Sequence, residues 1–311
     1  MKANKPPKDL TLIQLFDRFG TEEKARKHLE KVIWKDGIIC PHCQCNDKKK
    51  FSSIAENRDK EVRAGLRFCS NCKKQFTVTI GTIFEKSHIP LRKWLIAFFL
   101  ICSSKKGISA LQLQRILEIG SYQSALFLCH RIRLALSETS QAEKLSGIVE
   151  ADEALIPTGT NPPEAKRHRQ LTNVVTMVER GGRARSKVSV SGFNLRDAVR
   201  EYVKPESELH TDARGSRTLE GEYYVHTVKH CTGEYKRREG DRLVTTASVE
   251  SYFSLLKRGI IGTFHHVSAQ HLPLYLAEFD HRHNCRKISD GERTDLGLQK
   301  SVGKRLIYKT I

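Results

Sequence analysis

Two C-x-x-C pairs, "CPHC" at Cys40–Cys43 and "CSNC" at Cys69–Cys72, constrain this chain more than any other feature of its sequence. Each pair turns tightly enough to aim two thiolates at one ion, and two pairs together close a tetrahedron around Zn2+. Apolar and aromatic residues flank them (Ile39, Phe68, Phe76, Val78), as the short strands of a zinc ribbon require. The very polar stretch between them, "NDKKKFSSIAENRDKEVRAG", suits a protruding loop. A ribbon this small buries too little surface to fold by itself, so bound zinc is expected to supply much of its folding free energy. Cys45 lies just past the first pair as a spectator, and Cys102 and Cys129 fall in apolar helical runs as core thiols.

The 311 residues carry 54 Lys and Arg against 35 Asp and Glu, a formal charge of +19. Such an excess favours a polyanionic partner, because each basic contact to a phosphate releases condensed counterions. No apolar stretch follows the basic start "MKANKPPKDL". The longest apolar run, "WLIAFFLIC" (94–102), is about half of a membrane span. A cytoplasmic, soluble protein is expected, and its reducing compartment disfavours disulfides among the nine cysteines.

Periodicity divides the chain into N-terminal helices (1–37), the ribbon (38–84), a helical region (85–146), an α/β region (147–290) and a C-terminal tail (291–311). Thr21 is a candidate helix N-cap and Gly37 a stop, while Pro90 opens a buried helix. "ISALQLQRILEIGSYQSALFLCHRIRLALSE" reads as two helices capped by Ser109 and Ser121 around a tight turn, resembling a helix-turn-helix. Its second helix carries Arg131 and Arg133, which are expected to contact DNA. Beyond "SQAEKLSG" the period changes. "GIVEADEALI" reads as a strand, and "LTNVVTMVER" and "KVSVSGF" form a hairpin across "GGRARS". "NLRDAVREYV" is a helix, "SELHTDAR" a short strand, and "SVESYFSLLKRGI" a helix. That order suggests an α/β sheet of ribonuclease-H type.

Three acids stand out in that region. Asp152 interrupts a strand, where an unpaired charge is disfavoured. Asp212 closes the later strand, and Glu250 sits beside the apolar stripe Val249, Tyr252, Phe253, Leu256 and Ile260 of the last helix. Strand alternation places Glu150 on the face of Asp152, where it can support that residue, and turns Glu153 the other way. Acids converging from two strands and a helix repel one another unless hard divalent cations, Mg2+ or Mn2+, neutralise them. A pair of such ions could activate a water or 3′-hydroxyl and stabilise the leaving oxygen of a phosphodiester. Lys257 and Arg258, one to two turns beyond Glu250, would then hold the DNA backbone.

The stretches "CPHC…FCSNCKKQFTVTIGTIFEKSHIPLRKWL", "GIVEADEALI", "LHTDARGSR" and "VESYFSLLKRGIIGTFHHVSAQHLPLYLAEFDHRHN" resemble the transposases of the fifteen-ninety-five insertion-sequence family, from about residue 20 to 290. That family joins a zinc ribbon to a DDE, ribonuclease-H-like catalytic domain. The resemblance places Asp152, Asp212 and Glu250 at the triad positions and Cys40, Cys43, Cys69 and Cys72 at the zinc ligands. It implies cutting and rejoining of DNA at the ends of a mobile element by a homo-oligomer. His226 and His230 fall where the family carries histidines that could meet phosphate. Departures occur in "ALIPTGTNPPEAKRHR", in Tyr252-Phe253 and in "TTASV", and they bear on subfamily and end sequence. Two other readings share these features: a DNA-binding protein derived from such an enzyme with cleavage lost, and a nuclease without strand transfer.

Overall fold

A computed structural model describes residues 10–57, 59, 62–138, 143–159, 171–189, 194–212, 219–229 and 232–306. It resolves into two compact units. The first comprises 1–104, 108–137 and 287–311, and the second 105–107 and 138–286. No helix among the described residues is long and apolar enough to cross a membrane.

In the first unit, α1 (Leu12–Phe19) and α2 (Glu22–Ile33) precede a three-stranded antiparallel sheet of β1 (Phe51–Ser53), β2 (Arg67–Cys69) and β3 (Lys74–Phe76). Then come α3 (Leu91–Ser103), α4 (Ala110–Ile116) and α5 (Tyr122–Leu136). Hydroxyl caps set the starts of four of these helices: Thr11, Thr21, Ser109 and Ser121 accept from the amides of Gln14, Lys24, Gln112 and Ser124. The stretch expected as a protruding loop instead contains β1, which pairs with β2 in the register Phe51↔Cys69. Its Phe51 packs edge-on to Phe76 in the ribbon core, and that contact repays ordering an otherwise polar segment.

In the second unit, β4 (Ile148–Pro157), β5 (Leu171–Glu179) and β6 (Ala184–Val188) form an antiparallel meander. After α6 (Leu195–Tyr202), β7 (Glu208–Asp212) and β8 (Tyr224–Val228) run parallel to β4, giving the order β6-β5-β4-β7-β8. A separate hairpin of β9 (Lys236–Glu239) and β10 (Arg242–Thr245) leads into α7 (Ala247–Gly259) and α8 (Leu272–Asn284). Alternation along the strands builds a core on each face of the sheet. Val149, Ala151, Val175 and Met177 face α6, whereas Ala154, Ile156, Val174 and Val178 face α7 and α8. The stripe read from the sequence, Val249 to Ile260, is the buried side of α7.

The region from 291 is not a tail. Helix α9 (Asp290–Gln299) packs into the first unit against α3, so closely that a Cβ on Gly297 would come 2.6 Å from Phe98 and 2.8 Å from Leu136. Short polar sequence concealed this, because α9 contributes Leu298 and its glycines rather than a broad apolar face.

A buried carboxyl ties three elements of the second unit together. Asp280 on α8 accepts from the Tyr252 hydroxyl of α7 (2.5 Å) and from the Ser186 amide (2.9 Å) and hydroxyl (2.8 Å) of β6. Burial pushes its pKa up to about 6, against the opposing pull of those three donors. A raised carboxyl pKa means that the folded state holds this proton more tightly than the unfolded chain. Its contribution is therefore greatest at acid pH and is lost as pH rises from about 4 through about 6. We expect Asp280→Asn to remove a slope of up to about 3 kcal/mol across that window. Urea unfolding midpoints of the two proteins, compared pH by pH, would measure it.

Candidate metal and nucleic-acid site

The ribbon sulfurs already lie at zinc spacing. Cys40 Sγ and Cys72 Sγ are 3.7 Å apart and Cys43 Sγ and Cys69 Sγ 3.8 Å apart, with all four within 4.8 Å of one another. A tetrahedron with Zn–S bonds of about 2.3 Å has edges of roughly 3.8 Å. A residue with positive φ follows each pair, Gln44 (57°) and Lys73 (56°), and this reverses the chain so that both thiols point inward. Asn71 donates to Cys43 Sγ at 3.5 Å and holds that thiol down at about 6. Desolvation and then the neighbouring thiols push Cys72 up to about 12. Four thiols in such contact cannot all ionise without a cation between them, so the residues fit structural zinc. Cys45 stands outside the set and gives its carbonyl to the Cys40 amide.

The first two acids are brought together by the sheet. The parallel register of β4 on β7 pairs Ile148 with Glu208 and Ala151 with Thr211, and its next step sets Asp152 beside Asp212. Both are half-buried, and both line a cavity of about 550 Å3 shared with Glu153, Asn173, Asn194 and Arg196. Two carboxylates on adjacent strands, one in the middle of β4 and one at the end of β7, in an open cavity that also holds Glu153 and Arg196, suit a hard divalent cation. Glu250 lies in the first turn of α7, half-buried, with Oε1 accepting from the Thr246 hydroxyl at 2.7 Å. It does not line that cavity. Among the described residues only the four cysteines gather three or more ligand atoms within 4.8 Å. The two aspartates thus share one cavity wall, and Glu250 is not part of that lining.

The neighbouring acids divide as strand alternation requires. Glu153 turns to the α6 face, accepting from the Leu195 amide (3.1 Å) and from Asn173 (3.0 Å). Glu150, fully buried, pairs with Arg180 at 3.0 Å. Arg180 and the buried His210 escaped the sequence reading. His210 is the register partner of Glu150 and of His226, two residues before Asp212. A polar layer of this kind can be anticipated only once the strand partners are known.

The expected DNA contacts fare unequally. Arg131 and Arg133 are buried, with exposures of 6% and 1%, and do not face a duplex. Arg131 donates to the Glu85 carbonyl (2.8 Å) and lies over Trp94, because α5 packs against α3, α4 and α9 and leaves only its first turn exposed. Lys257 and Arg258 are exposed on the open side of α7. His226 is engaged by Glu239 (3.1 Å) and stacks edge-on against His210. His230 lies outside the described residues, as does 160–169 of the departing "ALIPTGTNPPEAKRHR" segment.

Residues 144–284 match the ISXO2-like transposase domain, and residues 20–75 match the transposase zinc-ribbon domain. The chain is also 27% identical over 188 residues to an uncharacterized protein in transposable element ISH50 of Halobacterium salinarum. That similarity spans 60% of this chain and 59% of the relative. No solved structure matches the chain.

Treatment with a strong chelator should release one zinc per chain and unfold the ribbon while the five-stranded sheet of the second unit persists. Metal analysis alongside proteolysis of the two regions would read this, and Cys43→Ser should cut zinc content at least tenfold at limiting metal. Full zinc retention by that variant would exclude the site.

Proposed function

Because the chain belongs to the zinc-ribbon DDE transposases of the fifteen-ninety-five insertion-sequence family, we propose that it cuts and joins phosphodiester bonds at the ends of an insertion sequence. Asp152, Asp212 and Glu250 hold two divalent ions, Mg2+ or Mn2+, in this reading. When bound, such ions lower the pKa of an attacking water or 3′-hydroxyl and stabilise the leaving oxygen. The observation that carries it is the placement of Asp152 beside Asp212 on the wall of an open cavity. The meander followed by two parallel strands, with helices over both faces, supports a ribonuclease-H-like fold.

The protein's own groups divide the work. The aspartate pair forms the fixed half of the metal site, and Glu250 closes on it from α7. Arg196 meets the scissile or flanking phosphate from the opposite wall. Lys257 and Arg258 hold the backbone of double-stranded DNA, both transposon end and target, further along α7. The zinc ribbon contributes a second DNA-binding module, and the protein works in the cytoplasm as a homo-oligomer around paired ends. A DNA-binding protein or regulator with an inactive catalytic domain is the competing reading, and it is favoured by a lining of the aspartates' cavity that does not include Glu250.

The full chain with Mn2+ and labelled end DNA should nick and join strands. Asp152→Ala, Asp212→Ala and Glu250→Ala should each reduce the rate on the order of a thousand-fold. Binding without cleavage by the unaltered chain would support the regulator, and full activity of any of the three variants would remove that residue from the site. Lys257→Ala and Arg258→Ala should each reduce the salt dependence of DNA affinity by about one counterion.

A further inference from the structure

Helix α7 begins in an unusual way. Its N-cap residue, Thr246, makes no side-chain bond to the helix amides. A neighbouring strand does so instead: the Ser248 and Val249 amides donate to Glu150 Oε2 at 2.6 and 3.4 Å, and the Ser248 hydroxyl to Glu150 Oε1 at 3.1 Å. Thr246, itself fully buried, turns its hydroxyl to Glu250 Oε1 at 2.7 Å. We propose that Glu150 is a positioning residue that caps α7 from β4, releasing Thr246 to orient the Glu250 carboxylate toward the Asp152–Asp212 pair. This rests on the reading of those three acids as one metal site.

The electrostatics favour the exchange. Exposed amides at a helix N-terminus carry partial positive charge, and a carboxylate there complements it better than a hydroxyl. A fully buried carboxylate is tolerated only when paired and hydrogen-bonded. Arg180 supplies the pairing, with Nε 3.1 Å from Glu150 Oε1. The same guanidinium donates to the carbonyl oxygens of Leu243 (2.8 Å) and Thr245 (3.4 Å) on β10 and to His210 Nδ1 (3.0 Å) on β7. It therefore binds the segment entering α7 to the two strands that carry the aspartates. Glu150 stands two residues before Asp152 on the same face of β4, so one short stretch of strand presents one ligand and holds the helix that presents another. A shift of α7 relative to β4 would have to break these bonds.

Mn2+ binding to the full chain without DNA, followed by calorimetry or electron paramagnetic resonance, tests this apart from catalysis. The unaltered chain should bind Mn2+, and Asp152→Asn should abolish binding. Glu150→Gln should weaken affinity about tenfold or more with far-ultraviolet circular dichroism unchanged, and Thr246→Val several-fold. Cleavage by Glu150→Gln should recover as Mn2+ is raised by the same factor. If Glu150→Gln does not fold, Thr246→Val decides alone. Wild-type Mn2+ affinity in the folded variants overturns the positioning role while leaving the metal site intact. Absence of Asp152-dependent binding in the unaltered chain overturns the metal site, and the positioning role with it.

Discussion

The parallel pairing of β4 with β7 is the contact on which the second unit's chemistry depends. β4 is the central strand, antiparallel to β5 on one side and parallel to β7 on the other. Parallel neighbours advance in step, so acids sixty positions apart in sequence come side by side where β7 ends against the middle of β4, on the wall of one cavity. Their mutual repulsion opposes folding until a cation or an ordered donor set offsets it.

Beneath that edge the sheet is occupied by charge that is satisfied rather than excluded. Glu150, His210 and His226 are register partners on three adjacent strands, and Arg180 bridges the first two. The His210 Nε2 partners Glu208 at 2.7 Å while Nδ1 faces the Thr245 amide and Arg180, so the ring accepts on one side and donates on the other. Hydrophobic residues of equal volume would pack at least as stably. What they could not do is fix the direction of an adjoining strand or helix, since packing forces lack the angular demand of a hydrogen bond. Asp280 serves α8 in the same manner, with one carboxyl joining β6 and α7.

Much of this could be read from the chain. The cysteine spacing located the ribbon, Thr21, Ser109 and Ser121 located helix starts, and the apolar stripe gave the inner face of α7. These features are local: a knuckle, a cap or a helical period spans a few residues and carries its own signal. The failures share the opposite property. Arg131 and Arg133 looked like a basic recognition surface because a helix period does not reveal how many neighbours surround the helix. The edge strand β8 and the β9–β10 hairpin lack a continuous apolar face, since Tyr224, Tyr235 and Leu243 are exposed. β1 hid in a polar segment because its pairing partner lies beyond an intervening turn.

Taken alone, the amino-acid order determined that this protein would gather four cysteines at metal-binding spacing and build an α/β unit with acids on its strands, because thiol spacing and hydrophobic period act over short distances. The tertiary structure alone decided which acids meet. It set Asp152 beside Asp212, gave Glu150 to the start of α7 and left Glu250 on the helix beyond, and it sealed two arginines inside a helical core. Those outcomes depend on strand register and on the number of elements packed around a side chain, and both are properties of contacts between segments remote in sequence.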